Sequence, residues 1–389
     1  MQTPCYCFDL DVFAKRAQAV KAALPTIPLT YSIKANPFLL EQLPEAFDHV
    51  EVCSPGELEI CMSLGIAPEK IIYSGVVKES CDVHQAVEYG VDIITCESIR
   101  HALLVQAENK PMKTLLRVTS GNQFGMSIED AKEIIKNQQS KYYNLDIIGI
   151  HFFSGTQKTL RKIEKDFEKL EKILVQLHDE CDFTPQMVEY GPGIYTEYFE
   201  EDCEACDMAA LAEAAGALNA FAEKYPLAIE MGRYFAASCG TFYTSVKDIK
   251  TSYETNYLMV DGGMHHLNYY GQRMAMQIPP LSVQKADGTE IAVKPAKNNS
   301  LASDEKVPYC VCGSLCTVAD VLLREVELPK MQVGDQLAFG RCGAYSMTEA
   351  PALFLSRPMP AVYVKSEEKG EVLIREHIHS ARLNMRSEN

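Results

Sequence analysis

A lysine closes a short strand-type run and opens turn chemistry in Thr30-Tyr31-Ser32-Ile33-Lys34-Ala35-Asn36-Pro37. An amine at the carboxyl end of a strand stands at the mouth of a barrel or sheet, where it can form a Schiff base with a carbonyl. A surface lysine on an edge strand is the competing reading for that residue taken alone. Gly191-Pro192-Gly193 is a second chemical signal, because glycines at a loop or helix start expose backbone N–H groups to an anion. Pro192 has no N–H, so one donor is lost or moved. His151 follows the run Ile147-Ile148-Gly149-Ile150; its flat ring suits stacking on a planar ligand and equally suits core packing. Cys5-x-Cys7 and Cys310-x-Cys312 have the period of a strand, and no second pair stands at zinc-site spacing. No metal centre is expected.

The elements that must position these groups alternate regularly. Asp9 can cap a helix running to about Ala23. The run ending at Ser32-Ile33 is followed by Val50–Cys53, Ile71–Tyr73, Ile93-Ile94, Leu115–Val118, Ile147–Ile150, Met187–Glu189 and Leu227–Glu230, each separated from the next by a polar, helix-like stretch. Eight apolar strands in about 200 residues suit a (β/α)8 barrel, although a doubly wound sheet shows the same alternation. Beyond Gly240 the texture becomes all-β, with strands expected over Thr241–Ile249, Tyr257–Asp261, Val307–Cys312, Gln336–Phe339, Ala361–Lys365 and Val372–Arg375. Lys285 to Lys306 is polar and reads as a loop or exposed hairpin. The expected organisation is an α/β barrel of the TIM type over 10–238 and a β-sandwich or barrel domain over 239–389 that also takes the N-terminal strand, 1–9.

Composition narrows the partners. A net charge of −16 argues against nucleic acid or an anionic membrane surface, either of which needs clustered Lys and Arg. No stretch approaches the roughly 18 apolar residues of a membrane span, and Met1-Gln2-Thr3-Pro4-Cys5 lacks the basic and apolar character of a signal segment. The 14 cysteines are therefore read as reduced thiols and the location as cytoplasmic.

Tyr31-x-x-Lys34-Ala35-Asn36 resembles the pyridoxal-phosphate lysine motif of the fold-type III decarboxylases, which include diaminopimelate, ornithine and carboxynorspermidine decarboxylases. Further matches follow in the family's order to Tyr345, over nearly the whole chain. The resemblance favours the barrel over the open sheet and implies pyridoxal 5'-phosphate (PLP) as cofactor, held covalently by Lys34. It implies that Glu57, in Ser54-Pro55-Gly56-Glu57-Leu58, lies beside the cofactor, although a capping box at a helix start accounts for the same residues. Arg117 would support the ring-side hydrogen bonds, His151 would stack on the pyridine ring and Ser154 would contact the phosphate. Gly191, Gly193, Gly232 and Arg233 fall at the phosphate-binding positions, and Tyr345 of Gly343-Ala344-Tyr345 meets phosphate or substrate. Glu230, in Glu230-Met231-Gly232-Arg233, would pair with the pyridine nitrogen and keep it protonated, making the ring a full electron sink. That favours decarboxylation over the alternative of a racemase on the same barrel. In Gly313-Ser314-Leu315-Cys316-Thr317-Val318-Ala319-Asp320, Cys316 would return a proton to Cα in the partner subunit's site, so a homodimer with shared sites is implied. Core packing is the competing reading for Cys316 and for Tyr345.

The pattern departs from the family beside Cys316. Diaminopimelate and ornithine enzymes place an acid where Thr317 stands, and a distal ammonium loses there a charge-assisted bond worth about 1.5–3 kcal/mol. His265 to Arg273 replaces an Arg-Pro-x-x-Tyr segment. Thr317, Asp320, Tyr345 and Arg273 are the candidate substrate-binding residues. The resemblance implies decarboxylation of an L- or meso-configured amino acid, diaminopimelate decarboxylase-like, with a conjugated amino acid (a carrier-protein-bound glutamyl group or a citryl-diamino acid) as the alternative.

Overall fold

The computed structural model describes residues 1–269, 276–293 and 306–386. Eight parallel strands close into a barrel in chain order: β2 (Leu29–Ser32), β3 (His49–Val52), β4 (Ile71–Tyr73), β5 (Ile93–Cys96), β6 (Met112–Arg117), β7 (Leu145–Phe153), β8 (Met187–Gly191) and β9 (Leu227–Met231). Strands buried on both faces need continuous apolar side chains, which is why these runs stand out in the sequence. Ile72, Ile93, Leu115 and Ile148 form one contiguous cluster with Met187 packed against it. Burying each such side chain stabilises the fold by about 1.5–3 kcal/mol.

The intervening helices are α1 (Leu10–Ala23), α2 (Pro55–Ser63), α3 (Ser80–Tyr89), α4 (Ile99–Gln106), α5 (Ile128–Lys136), α6 (Gln138–Lys141), α7 (Leu160–Cys181), α8 (Cys203–Ala222) and α9 (Arg233–Ala236). Local chemistry sets several boundaries. Ser54, Ser98 and Ser127 each accept the backbone N–H three residues on, as N-caps do, and Gly90 ends α3 in the left-handed conformation. No helix among the described residues is long and apolar enough to cross a membrane.

The barrel unit comprises residues 14–195 and 207–235; a second compact unit comprises 1–13, 196–206 and 236–389. The segment 196–206 thus groups with the β unit, where sequence alone places it in the barrel. The β unit is a ten-stranded branched sheet. β1 (Cys5–Asp9) lies antiparallel to β10 (Gly240–Ser252) and parallel to β17 (Ala361–Ser366), so the N-terminal strand is built into this sheet. The others are β11 (Thr255–Val260), β12 (Leu281–Gln284), β13 (Glu290–Val293), β14 (Lys306–Cys312), β15 (Val321–Pro329), β16 (Gln336–Phe339) and β18 (Gly370–Arg375). The polar segment after Gln284 begins as the turn of the β12–β13 hairpin; its remainder, 294–305, lies outside the described residues.

Candidate active site

Lys34 leaves the barrel directly after β2 in a single turn, Ile33–Ala35. Buried Tyr31 donates its phenol proton to the Asn36 carbonyl at 2.8 Å, and the Asn36 side chain accepts from the Phe38 N–H at 3.1 Å. The rings of Tyr31, Phe47 and Phe235 pack beneath. The turn is therefore fixed, while the lysine side chain remains 39% exposed. Its Nζ lies 2.6 Å from Glu51 Oε2, 3.4 Å from Cys53 Sγ and 3.6 Å from Glu230 Oε1. Glu51 lies on β3, the neighbour of β2, and Glu230 lies on β9, its other neighbour. A cation held between two carboxylates results.

Glu230 is buried. Ser32 donates to its Oε1 at 2.8 Å, and His151 Nε2 stands 3.2 Å from Oε2, at ion-pair distance but off the line that a hydrogen bond requires. Burial alone would push this carboxyl up, but the Lys34 charge, the His151 imidazole and the Ser32 hydroxyl hold it well below the usual carboxylate range. Its Oε2 has no aligned donor among the described residues. Glu189 on β8 shows the opposite behaviour: burial, then the charges of Glu230 and Glu51, push its carboxyl well above the usual range. The two buried carboxyls are thus pushed in opposite directions. His151, Glu189 and Glu230 bring polar atoms within 4.8 Å of one another. His151, expected to stack on a flat ligand, thus presents its nitrogen edge to Glu230. Two residues on, and on the same strand face, half-buried Phe153 supplies an aromatic ring nearer the strand's carboxyl end.

Beyond β7 and β8 the chain forms two apposed loops. Gly193 has φ 53°, and a Cβ there would fall 2.3 Å from the Gly155 carbonyl oxygen; at Gly191 a Cβ would fall 2.4 Å from the Phe153 ring. Only glycine permits this approach. Ser154, expected to contact an anion here, follows directly after β7, and its hydroxyl donates to Asp166 of α7 at 2.6 Å. Gly232 passes so close to the lysine turn that a Cβ would lie 2.8 Å from Ala35 Cβ, and half-buried Arg233 begins α9 directly after it.

On β6, Arg117 donates to Glu97 at 2.5 Å, with the Phe124 ring 5.1 Å from its guanidinium carbon. Glu57 is tied to the start of α2: its N–H donates to the Ser54 hydroxyl, and its Oε2 accepts from the Cys53 N–H, one residue before the cap, at 2.6 Å. Lys78 is a further lysine of the barrel unit, but it is buried, donates to the Gly75 carbonyl at 2.7 Å and is pushed down by burial.

In the β unit, Cys316 is exposed on the loop between β14 and β15, and the Thr317 hydroxyl accepts from the Ala319 N–H at 3.3 Å. Asp320, expected to read substrate, is 2% exposed, and its two oxygens accept the Met264 and Leu315 N–H groups at 2.7 and 2.8 Å. It clamps the loop that carries Cys316. Tyr345 is half-buried at φ 63°, and Arg273 lies outside the described residues.

Sequence reasoning passed over Glu51, Glu97, Glu189 and Phe153. Each ends or lines a barrel strand at the level of a residue already singled out, so the barrel register was the signal that could have found them.

Comparison with known proteins agrees with this geometry. Residues 10–237 match the family model described as "Pyridoxal-dependent decarboxylase, pyridoxal binding domain". An L-glutamyl-[BtrI acyl-carrier protein] decarboxylase from Niallia circulans is 25% identical, covering 96% of this chain and 91% of that protein. Diaminopimelate decarboxylase from Aquifex aeolicus is 28% identical, over 88% of this chain and 82% of its own length. The crystal structure of diaminopimelate decarboxylase from Helicobacter pylori complexed with L-lysine superposes with a TM-score of 0.81 at 22% identity, covering 98% of this chain and 96% of that one. With a lysine and a buried ionised acid meeting at the barrel mouth and a family match over most of the chain, the protein belongs to the pyridoxal-dependent decarboxylases.

Proposed function

We propose that this chain removes the α-carboxyl group of an amino acid as CO2, with PLP held covalently by Lys34. The observation that carries the proposal is the pairing of Lys34 Nζ with Glu230 at 3.6 Å, where Glu230 Oε2 is buried and lacks an aligned donor. A protonated pyridine nitrogen is the donor this atom requires, and Gly191 and Gly193 let the loops after β7 and β8 come together where a Cβ would clash with the Phe153 ring or the Gly155 carbonyl. The residues present therefore fit the cofactor.

When bound, PLP withdraws electrons from the Cα bonds of an amine attached to it. The chain's own groups do the rest. Glu51, 2.6 Å from Nζ, takes a proton from Lys34, because only the neutral amine can attack an aldehyde. Glu230 stays ionised and holds the ring-nitrogen proton, and His151 keeps Glu230 in place. Arg117 is oriented by Glu97. Backbone N–H groups of the loops after β7 and β8, together with Arg233, receive the phosphate, and Phe153 offers a flat face. Cys316 of one copy in a homodimer returns a proton to Cα after CO2 has left.

The substrate we favour carries no free distal ammonium, since Thr317 offers a neutral hydroxyl where charge recognition needs an acid. The coverage of the glutamyl carrier-protein relative, 96% of this chain, supports a conjugated amino acid. Measuring CO2 from a panel of glutamyl conjugates, meso-diaminopimelate, ornithine, lysine and arginine tests this. Conjugates are expected to turn over fastest; turnover of meso-diaminopimelate at rates typical of metabolic enzymes would contradict the reading of Thr317. Replacing Cys316 by Ala should lower turnover roughly 10²–10⁴-fold, as removal of a proton-transferring group does, with cofactor uptake retained. Unchanged CO2 release and unchanged product identity would remove Cys316 from the mechanism.

A further inference from the structure

Lys158 lies four residues beyond Ser154, in the loop that leads into α7, and is 4% exposed. Its ammonium donates to Asp166 Oδ2 at 2.8 Å and to the Gly191 carbonyl at 3.1 Å, and its backbone N–H donates to the Gly193 carbonyl at 2.8 Å. One residue thus grips both glycine carbonyls that flank Pro192. The same Asp166 oxygen accepts from Ser154 at 2.6 Å and from Tyr190 at 2.9 Å, joining the ends of β7 and β8 to α7. The Tyr190 and Phe153 rings lie 5.0 and 5.5 Å from the ammonium.

We propose that Lys158 is the positioning residue of the phosphate cradle, holding the Gly191 and Gly193 peptides in the orientation that Pro192, with no N–H of its own, cannot secure. This rests on the phosphate assignment above and deepens it. In a trans peptide the carbonyl and the following N–H point in opposite directions. Anchoring the Gly193 carbonyl on Lys158 therefore turns the Ile194 N–H away from Lys158, leaving it available as a donor. Burial pushes the amine down and Asp166 opposes that shift. An ion pair so deeply buried adds little net stability, because desolvation costs about as much as the attraction returns. What it supplies is a fixed loop geometry.

Titration of the cofactor-stripped protein with PLP and with pyridoxal, which lacks the phosphate, tests the assignment through visible absorbance. For Lys158→Met the apparent Kd for PLP should rise about tenfold or more, equivalent to about 1.4 kcal/mol, while that for pyridoxal changes less than about twofold. Adding Pro192→Gly to Lys158→Met restores an N–H and should recover most of the PLP affinity. Should Lys158→Met fail to fold, Lys158→Met with Asp166→Leu removes both charges together and gives the same readout. Equal losses for the two ligands, or no recovery with Pro192→Gly, would make Lys158 a packing residue only. A wild-type chain that takes up neither ligand would instead overturn the cofactor assignment itself.

Discussion

Replacement of Lys34 by Ala abolishes the visible absorbance of the bound cofactor and lowers CO2 release by at least about a thousandfold, within the range found when a group acting at the reacting atoms is removed. The expectation follows from position. The lysine turn is fixed by Tyr31 and Asn36, while the side chain is 39% exposed and lies beside both Glu51 and Glu230. Lys78 has an amine that burial pushes toward neutrality, yet it is 1% exposed and committed to the Gly75 carbonyl. Lys158 is held by Asp166. Added methylamine should partly restore CO2 release to Lys34→Ala by supplying the missing amine, whereas a misfolded variant would not respond. Full visible absorbance without Lys34 would refute the assignment.

Replacement of Glu230 by Gln should lower turnover about 10²–10³-fold, the loss typical of removing one preorganised electrostatic partner, while the cofactor remains attached to Lys34. Gln is nearly isosteric but cannot hold a proton on a ring nitrogen. In the wild type Glu230 is held well below the usual carboxylate range, so it is ionised throughout the neutral region and its titration does not shape the activity profile there. Because its folded value is depressed, its contribution to stability is present above the ordinary carboxylate pKa and is lost as pH falls through the depressed value. Steady-state CO2 release together with the cofactor's absorbance checks this; a Gln variant with near wild-type turnover would show that the ring nitrogen does not depend on Glu230.

The barrel was legible because parallel strands buried on both faces leave unbroken apolar runs, and each of the eight falls within a residue or a few of the expected span. β15 was not legible. Val321–Pro329 carries Arg324, Glu325 and Glu327, and its pairing with β14 shifts register twice, so the two-residue period is interrupted. Along β7, alternation places Phe153 on the His151 face, a relation that a motif match alone does not disclose. Glu189 and Glu230 lie on neighbouring strands but 41 positions apart, and nothing local announces that their carboxyls are pushed in opposite directions. Nothing local in the sequence announces the burial of Lys158, which depends on α7 bringing Asp166 to its ammonium.

The most direct measurement is chemical. Borohydride reduction of the cofactor-loaded protein fixes the pyridoxyl group on whichever amine holds it, and peptide mass spectrometry then locates the label. A single label, on Lys34, is expected. A label on Lys78, on Lys158 or on any other amine, or a loaded protein that acquires none, would contradict it.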